Sequence, residues 1–103
     1  MKINTDYIKN IDNMKKVSDL LKVLSNENRL IIVCYLLSSE MSVNELHSKI
    51  NNLTQSAISQ HLSILKAHKI LNSEKKGQSI TYFIFDERVR SIIEVLKDNY
   101  CEI

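Results

Sequence analysis

The sequence predicts a mainly helical fold with a β-hairpin wing: a winged helix-turn-helix in the order α-α-α-α-β-β-α. Three observations predict it. The 103 residues include no proline and one glycine, Gly77, a composition that favours helices joined by short connections. Apolar residues recur at spacings of three and four through most of the chain, which is the helical period. That period gives way between Leu71 and Phe85, where β-branched and aromatic residues flank the single glycine.

The length suits one domain spanning residues 1–103. Hydrophobic residues at 44% and charged residues at 25% are ordinary globular values, so the chain can build a core without staples. No apolar run approaches the roughly 18–20 residues of a membrane span, and the opening MKINTDYIKNID lacks an apolar signal core. The expectation is a cytoplasmic protein without membrane association. Its two cysteines, Cys34 and Cys101, are then normally reduced and do not serve as a permanent staple.

Each element has its own local signal. Ile8, Ile11, Met14, Val17, Leu21 and Leu24 form one apolar stripe on a first helix. SNEN interrupts it, with Ser25 or Asn26 as cap of the second helix. RLIIVCYLLS is apolar nearly all round, which places the second helix centrally. Ser42, with Glu45 three residues on, is a capping box for a short third helix, VNELHSKI. After the loop NNL, Thr54 caps the fourth helix. Two helices joined by so short a turn are a helix-turn-helix. LNSEKK and SITYFIF, separated by KKGQS, read as a hairpin; directly after the fourth helix, that hairpin is a wing. Asp86 caps the last helix, ERVRSIIEVLKDNY, with Val89, Ile92, Ile93, Leu96 and Tyr100 on one face.

The fourth helix carries the functional signal. In TQSAISQHLSILKAH, Gln55, Ser56, Ser59, Gln60, Ser63, Lys66 and Ala67 fall on one arc, while Thr54, Ala57, Ile58, His61, Leu62, Ile64, Leu65 and His68 fill the other. A merely solvated face normally carries Glu, Lys and Arg, which favour the helix more than Ser does. Short donors and acceptors with little bulk suit base edges in a major groove: Gln pairs with adenine through two bonds and Ser adapts to several bases. His61 and His68 fall on the packing side and read as hydrogen-bonded core histidines rather than base contacts or metal ligands. Net charge is only +2, but between Thr54 and Thr81 four lysines stand against Glu74, a local basic stripe that suits double-stranded DNA as partner. The expected DNA-binding set is Gln55, Ser56, Ser59, Gln60, Ser63 and Lys66, with Lys75, Lys76 and Gln78 of the wing.

LKVLSNENRLIIVCYLL, MSVNELHSKINNLTQSAISQHLSILKAHKI and LNSEKKGQSITYFIF, taken together and in order, resemble the ArsR/SmtB family of bacterial winged-helix repressors. Leu20 to Phe85 carries the resemblance. It implies a homodimer built on the first and last helices, binding an imperfect palindromic operator. Glu27 stands where the family often has proline. Many members sense metals, yet the motif similar to the family's E-L-C-x-C reads Glu45-Leu46-His47-Ser48-Lys49 here, without thiolates. In the last helix Asp86 and Glu102 are present, but Arg88 and Asn99 stand at the histidine positions. Soft and borderline metals want N or S ligands, so no metal site and no cofactor are expected.

Cys34 and Cys101 match in position the dithiol pair of the family's sulfide-, persulfide- and redox-responsive branch. The resemblance implies a redox switch with an oxidant or reactive sulfur species as signal. Taken singly, Cys34 shares a face with Leu30, Val33 and Leu37 and reads as a buried, inert hydrophobe, and Cys101 reads as an exposed thiol near a ragged end. A bridge needs Cα atoms within about 7 Å. A thiol enzyme is the rival from another class, but an apolar stripe and a helix C-terminus both disfavour a thiolate, so no enzymatic activity is expected. A winged helix used for protein contact would carry aromatic or aliphatic anchors on the exposed arc. A DNA-packaging protein would ignore sequence and show a steep salt slope.

Overall fold

A computed structural model describes residues 11–101. Helix α1 (Ile11–Leu24) leads to α2 (Glu27–Ser38), strand β1 (Met41–Ser42), α3 (Val43–Lys49), α4 (Gln55–Ala67), β2 (Leu71–Lys76), β3 (Ser79–Ile84) and α5 (Glu87–Tyr100). The winged helix-turn-helix expected from the sequence is observed, with one unexpected strand, β1, between α2 and α3. Ile8 and Glu102 lie outside the described residues.

The helix starts are set locally. The Asn26 side chain accepts from the N–H of Arg29 at 3.1 Å and caps α2. Ser42 and Glu45 form the reciprocal capping box of α3, each bond 3.1 Å. Thr54 Oγ1 accepts from the N–H of Ala57 at 3.1 Å, and Asp86 Oδ1 from that of Arg88 at 2.9 Å. Each cap satisfies an amide that the helix itself leaves unpaired. Arg29 works at the other pole, where its Nε donates to the carbonyl of Val23 at 2.6 Å and ties the end of α1 to α2.

The end of α4 is less ordinary. Ile70 N–H donates to Leu65 O at 3.0 Å and Lys69 N–H to Lys66 O at 2.9 Å, the paired bonds of a Schellman cap. Such a cap wants glycine in the left-handed region, and here Lys69 takes it, with φ 60°.

The core is where α2, α3, α4, the sheet and α5 meet. Ile32, Val33 and Leu36 of α2 are buried with Leu46 of α3, Ile58, Leu62 and Leu65 of α4, and Val89 and Ile93 of α5. Full burial of one such side chain contributes about 1.5–3 kcal/mol, and truncating Leu62 to alanine would cost about 2–5 kcal/mol. α1 is different: only Val23 and Leu24 are buried, while Ile11, Met14, Val17 and Leu21 are 44–64% exposed.

The sheet adds to the expected hairpin. β2 and β3 pair antiparallel from Leu71↔Ile84 to Lys76↔Ser79. Two residues, Gly77 and Gln78, make the turn, and Gly77 has φ +62° with open space around it. Its role is therefore conformational, at the first turn position where a hairpin favours glycine. The short strand β1 joins the other side of β3 through Met41↔Tyr82 and Ser42↔Thr81, giving the order β1-β3-β2. At the base of the wing one carbonyl, that of Ile70, accepts from the N–H groups of both Phe85 (2.9 Å) and Asp86 (3.3 Å).

Candidate nucleic-acid interface

α3 and the loop after it set the start of α4, and α4 buries Ile58, Leu62 and Leu65. That packing turns the opposite arc to solvent: Gln55, Ser56, Ser59, Gln60, Ser63 and Lys66 are all exposed. The first turns of α1, α2, α3 and α5 each contain an acid: Asp12, Glu27, Glu45 and Glu87. That of α4 contains none. A helix start carries partial positive charge, which acids normally complement. Without one, the start of α4 stays favourable to an anion.

Neighbouring side chains fix parts of this surface. Gln55 Nε2 donates to Asn44 Oδ1 on α3 at 2.8 Å. Lys66 Nζ donates to Ser73 Oγ of β2 at 2.7 Å, joining the helix to the wing. Lys75 and Gln78 are exposed. Lys76 is exposed but engaged, since its ammonium pairs with the carboxylate of Glu40. Asn44 and Glu40 were not legible as parts of this surface, because each lies on a different element from its partner. The missing acid in the α4 first turn is a signal that the sequence does contain.

Three residues assigned to the packing arc are exposed instead. Thr54 and His68 cap the two ends of α4 and are exposed, and Ile64, 38% exposed, lies at the edge of the packing arc next to the polar one. The ring Nδ1 of His68 lies 2.9 Å from the carbonyl of Ile64. His61 is half-buried and its Nδ1 has no hydrogen-bond partner. Burial, then the nearby charge of Arg29, pushes its pKa below the ordinary histidine value.

The cysteines meet a second feature, an apolar groove of about 650 Å³ between α2 and α5. Both line it, together with Leu30, Tyr35, Ile93, Leu96 and Lys97. Both are free thiols. Cys101 is exposed, as expected, whereas Cys34 is half-buried and opens onto the groove. Burial pushes the Cys34 thiol up, charge on Cys101 pushes it further, and Lys97 opposes both. Cys101 is thus close enough to act on the Cys34 thiol.

Two of the carboxylates at the family's metal positions, Asp86 and Glu45, are otherwise engaged. Both carboxylate oxygens of Asp86 accept from the guanidinium of Arg88, at 3.0 and 2.9 Å. Glu45 is committed to its capping box. Among the described residues no three His, Cys, Asp or Glu side chains converge, and no helix is long and apolar enough to cross a membrane.

A helix-turn-helix whose second helix presents an open polar arc beside a wing defines a winged-helix DNA-binding regulator. The model of the bacterial regulatory protein family arsR matches residues 26–73. The chain is 42% identical to the transcriptional activator HlyU of Vibrio cholerae over 90 residues, 87% of this chain and 82% of that protein. It is 31% identical to the biofilm growth-associated repressor of Agrobacterium fabrum over 86 residues, 84% and 73% of the two chains. The structure of reduced HlyU from V. cholerae superposes with a TM-score of 0.82 at 42% identity, covering 88% of this chain and 95% of that one. That of the transcriptional repressor BigR from Xylella fastidiosa gives 0.82 at 27% identity, covering 98% and 100%. The chain belongs to the ArsR family of bacterial regulatory proteins and is a DNA-binding transcriptional regulator.

Proposed function

We propose that the protein is a dimeric, sequence-specific, cytoplasmic regulator without enzymatic activity, whose operator binding is switched by its cysteine pair. The observation that carries the DNA reading is the open arc of α4, polar and lacking an acid in its first turn. Gln55, Ser56, Ser59, Gln60 and Ser63 read base edges, while Lys66, Lys75, Lys76 and Gln78 meet the backbone.

Dimerisation is supported by two unpartnered apolar faces. α1 exposes Ile11, Met14, Val17 and Leu21, and α5 exposes Ile92, Val95, Leu96 and Tyr100. Patches of this kind mark interfaces, and a two-fold pairing matches an imperfect palindrome with half-sites one or two DNA turns apart.

The switch reading is supported by two thiols on one groove, in a chain 42% identical to a protein whose reduced form has been solved. With both thiols free the dimer holds its operator. An oxidant or reactive sulfur species joins Cys34 to Cys101, ties α5 to α2 and changes the spacing of the two α4 helices. A 100-fold loss of DNA affinity needs about 2.7 kcal/mol of coupling.

The test is selection of an operator from genomic fragments, followed by binding of the wild type, Gln60→Ala and Cys34→Ser/Cys101→Ser. Gln60→Ala is expected to lose about 1–3 kcal/mol of specific binding, and the double serine variant to bind but ignore oxidant. Untouched operator preference in Gln60→Ala overturns the groove assignment, and DNA release by the oxidised double variant overturns the switch.

A further inference from the structure

Cys34 sits where a thiolate is disfavoured, yet it is the cysteine that must close the bridge once the exposed Cys101 has reacted, since access decides which thiol meets the oxidant first. The groove supplies a counter-charge. Lys97 lies four residues before Cys101 on α5, and the N–H of Cys101 donates to the carbonyl of Lys97 at 2.9 Å. That spacing puts both residues on one helix face. Cys34, Lys97 and Cys101 all line the same groove. Lys97 is half-buried, and among the described residues it forms no ion pair. The other titratable groups bordering the groove are Glu27 and Tyr35 on α2, Lys49 on α3 and Tyr100 on α5. Tyr35 Oη donates to the carbonyl of Lys49 at 3.4 Å, and Tyr100 is 83% exposed. Lys97 is the cation that acts on the Cys34 thiol.

We propose that Lys97 is a positioning residue of the cysteine pair: its ammonium eases formation of the Cys34 thiolate that attacks when the bridge to Cys101 closes. The inference rests on the thiol-switch reading above. With hydrogen peroxide as oxidant, the Cys101 thiolate attacks one peroxide oxygen, the O–O bond breaks, and Cys101 becomes a sulfenic acid as hydroxide leaves. The Cys34 thiolate then attacks the Cys101 sulfur. The S–S bond forms, the S–O bond breaks, and a second hydroxide leaves. With the two thiol protons taken up, two thiols have lost two electrons and the peroxide has become two waters.

The test uses the full chain. In a Cys101→Ser background, the pH dependence of Cys34 alkylation by iodoacetamide reads its ionisation directly. Lys97→Gln is expected to displace that profile to higher pH, and Lys97→Arg to restore it. In the two-cysteine chain treated with hydrogen peroxide, Lys97→Gln is expected to close the bridge more slowly and to accumulate Cys101 sulfenic acid, trapped by dimedone. A tenfold loss of thiolate is partly offset by the greater nucleophilicity of the more basic sulfur, leaving a net slowing of about three- to fourfold. Circular dichroism checks that the variants remain folded. An unchanged alkylation profile in Lys97→Gln, with a normal wild-type bridge, overturns the role of Lys97 alone. A wild-type chain that forms no Cys34–Cys101 bridge overturns the switch reading and the role with it.

Discussion

Gln55 Nε2 donates to Asn44 Oδ1 at 2.8 Å, so the first side chain of α4 is oriented by a residue of α3. The bond leaves Gln55 Oε1 to accept and Asn44 Nδ2 to donate. A pre-set amide loses less freedom on docking than one that must be ordered by the DNA. Asn44→Ala is therefore expected to relax the base preference at the position that Gln55 contacts more than it lowers overall affinity. Binding to a set of single-base operator variants checks this. A uniform loss across all variants would assign Asn44 to the phosphates instead.

If Lys76 meets DNA as proposed, Glu40 competes for it. Their pairing is exposed, and surface ion pairs are weak and screened by salt. Glu40→Gln removes the competitor and a negative charge near the wing. It is expected to raise DNA affinity by roughly two- to fivefold at low salt, a gain that fades as salt rises. Lower affinity in this variant would mean that Glu40 holds the wing in its binding position.

His61 predicts a pH dependence of stability. Its pKa in the folded chain is depressed by burial and by Arg29. As pH falls through the ordinary value of about 6.5 the unfolded imidazole takes a proton, while the folded one resists until lower pH. The stability present above that value is lost as pH falls from it through the folded value. His61→Gln is expected to flatten this limb, measured as urea unfolding at several pH values between neutral and mildly acidic. Asp86, depressed by Arg88, acts only in the more acidic carboxylate range.

Much of the fold could be read from the sequence because its signals are local. The capping residues Asn26, Ser42, Thr54 and Asp86 act within three residues of themselves, and Gly77 marks a two-residue turn. β1 was not legible: two residues, Met41 and Ser42, carry no period, and they are a strand only because β3 lies beside them. The pairing of Lys76 with Glu40 spans 36 positions. The exposure of His68 follows from its place as the cap beyond the last residue of α4, which periodicity does not encode. Lys97 gained its place only when α2 and α5 framed a common groove.

Lys69 is a site for stabilisation. A side chain in the left-handed region costs about 1–2 kcal/mol, while glycine there would add about 0.5–1 kcal/mol of unfolded-state entropy to be lost on folding. The balance favours Lys69→Gly by about 0.5–1 kcal/mol, or roughly 2–6 °C in melting temperature for a domain of this size. Calorimetry checks it, and a lower melting temperature would show that the lysine side chain makes up the difference.

The shared carbonyl of Ile70 has a consequence for how such a protein can diverge. Both ends of the wing are fastened at one point, with Ile70 leading into β2 and Phe85 and Asp86 closing after β3. Beyond that clasp, the hairpin grows or shrinks at its tip. Residues added in pairs, one on each side of the Lys76↔Ser79 rung, keep every inward side chain inward, whereas a one-residue slip turns the faces over. The wing is thus a ruler of adjustable length on a fixed handle. On the proposed reading, descendants of this chain can change how far they reach along a DNA backbone without disturbing α4 or the groove that holds the thiols.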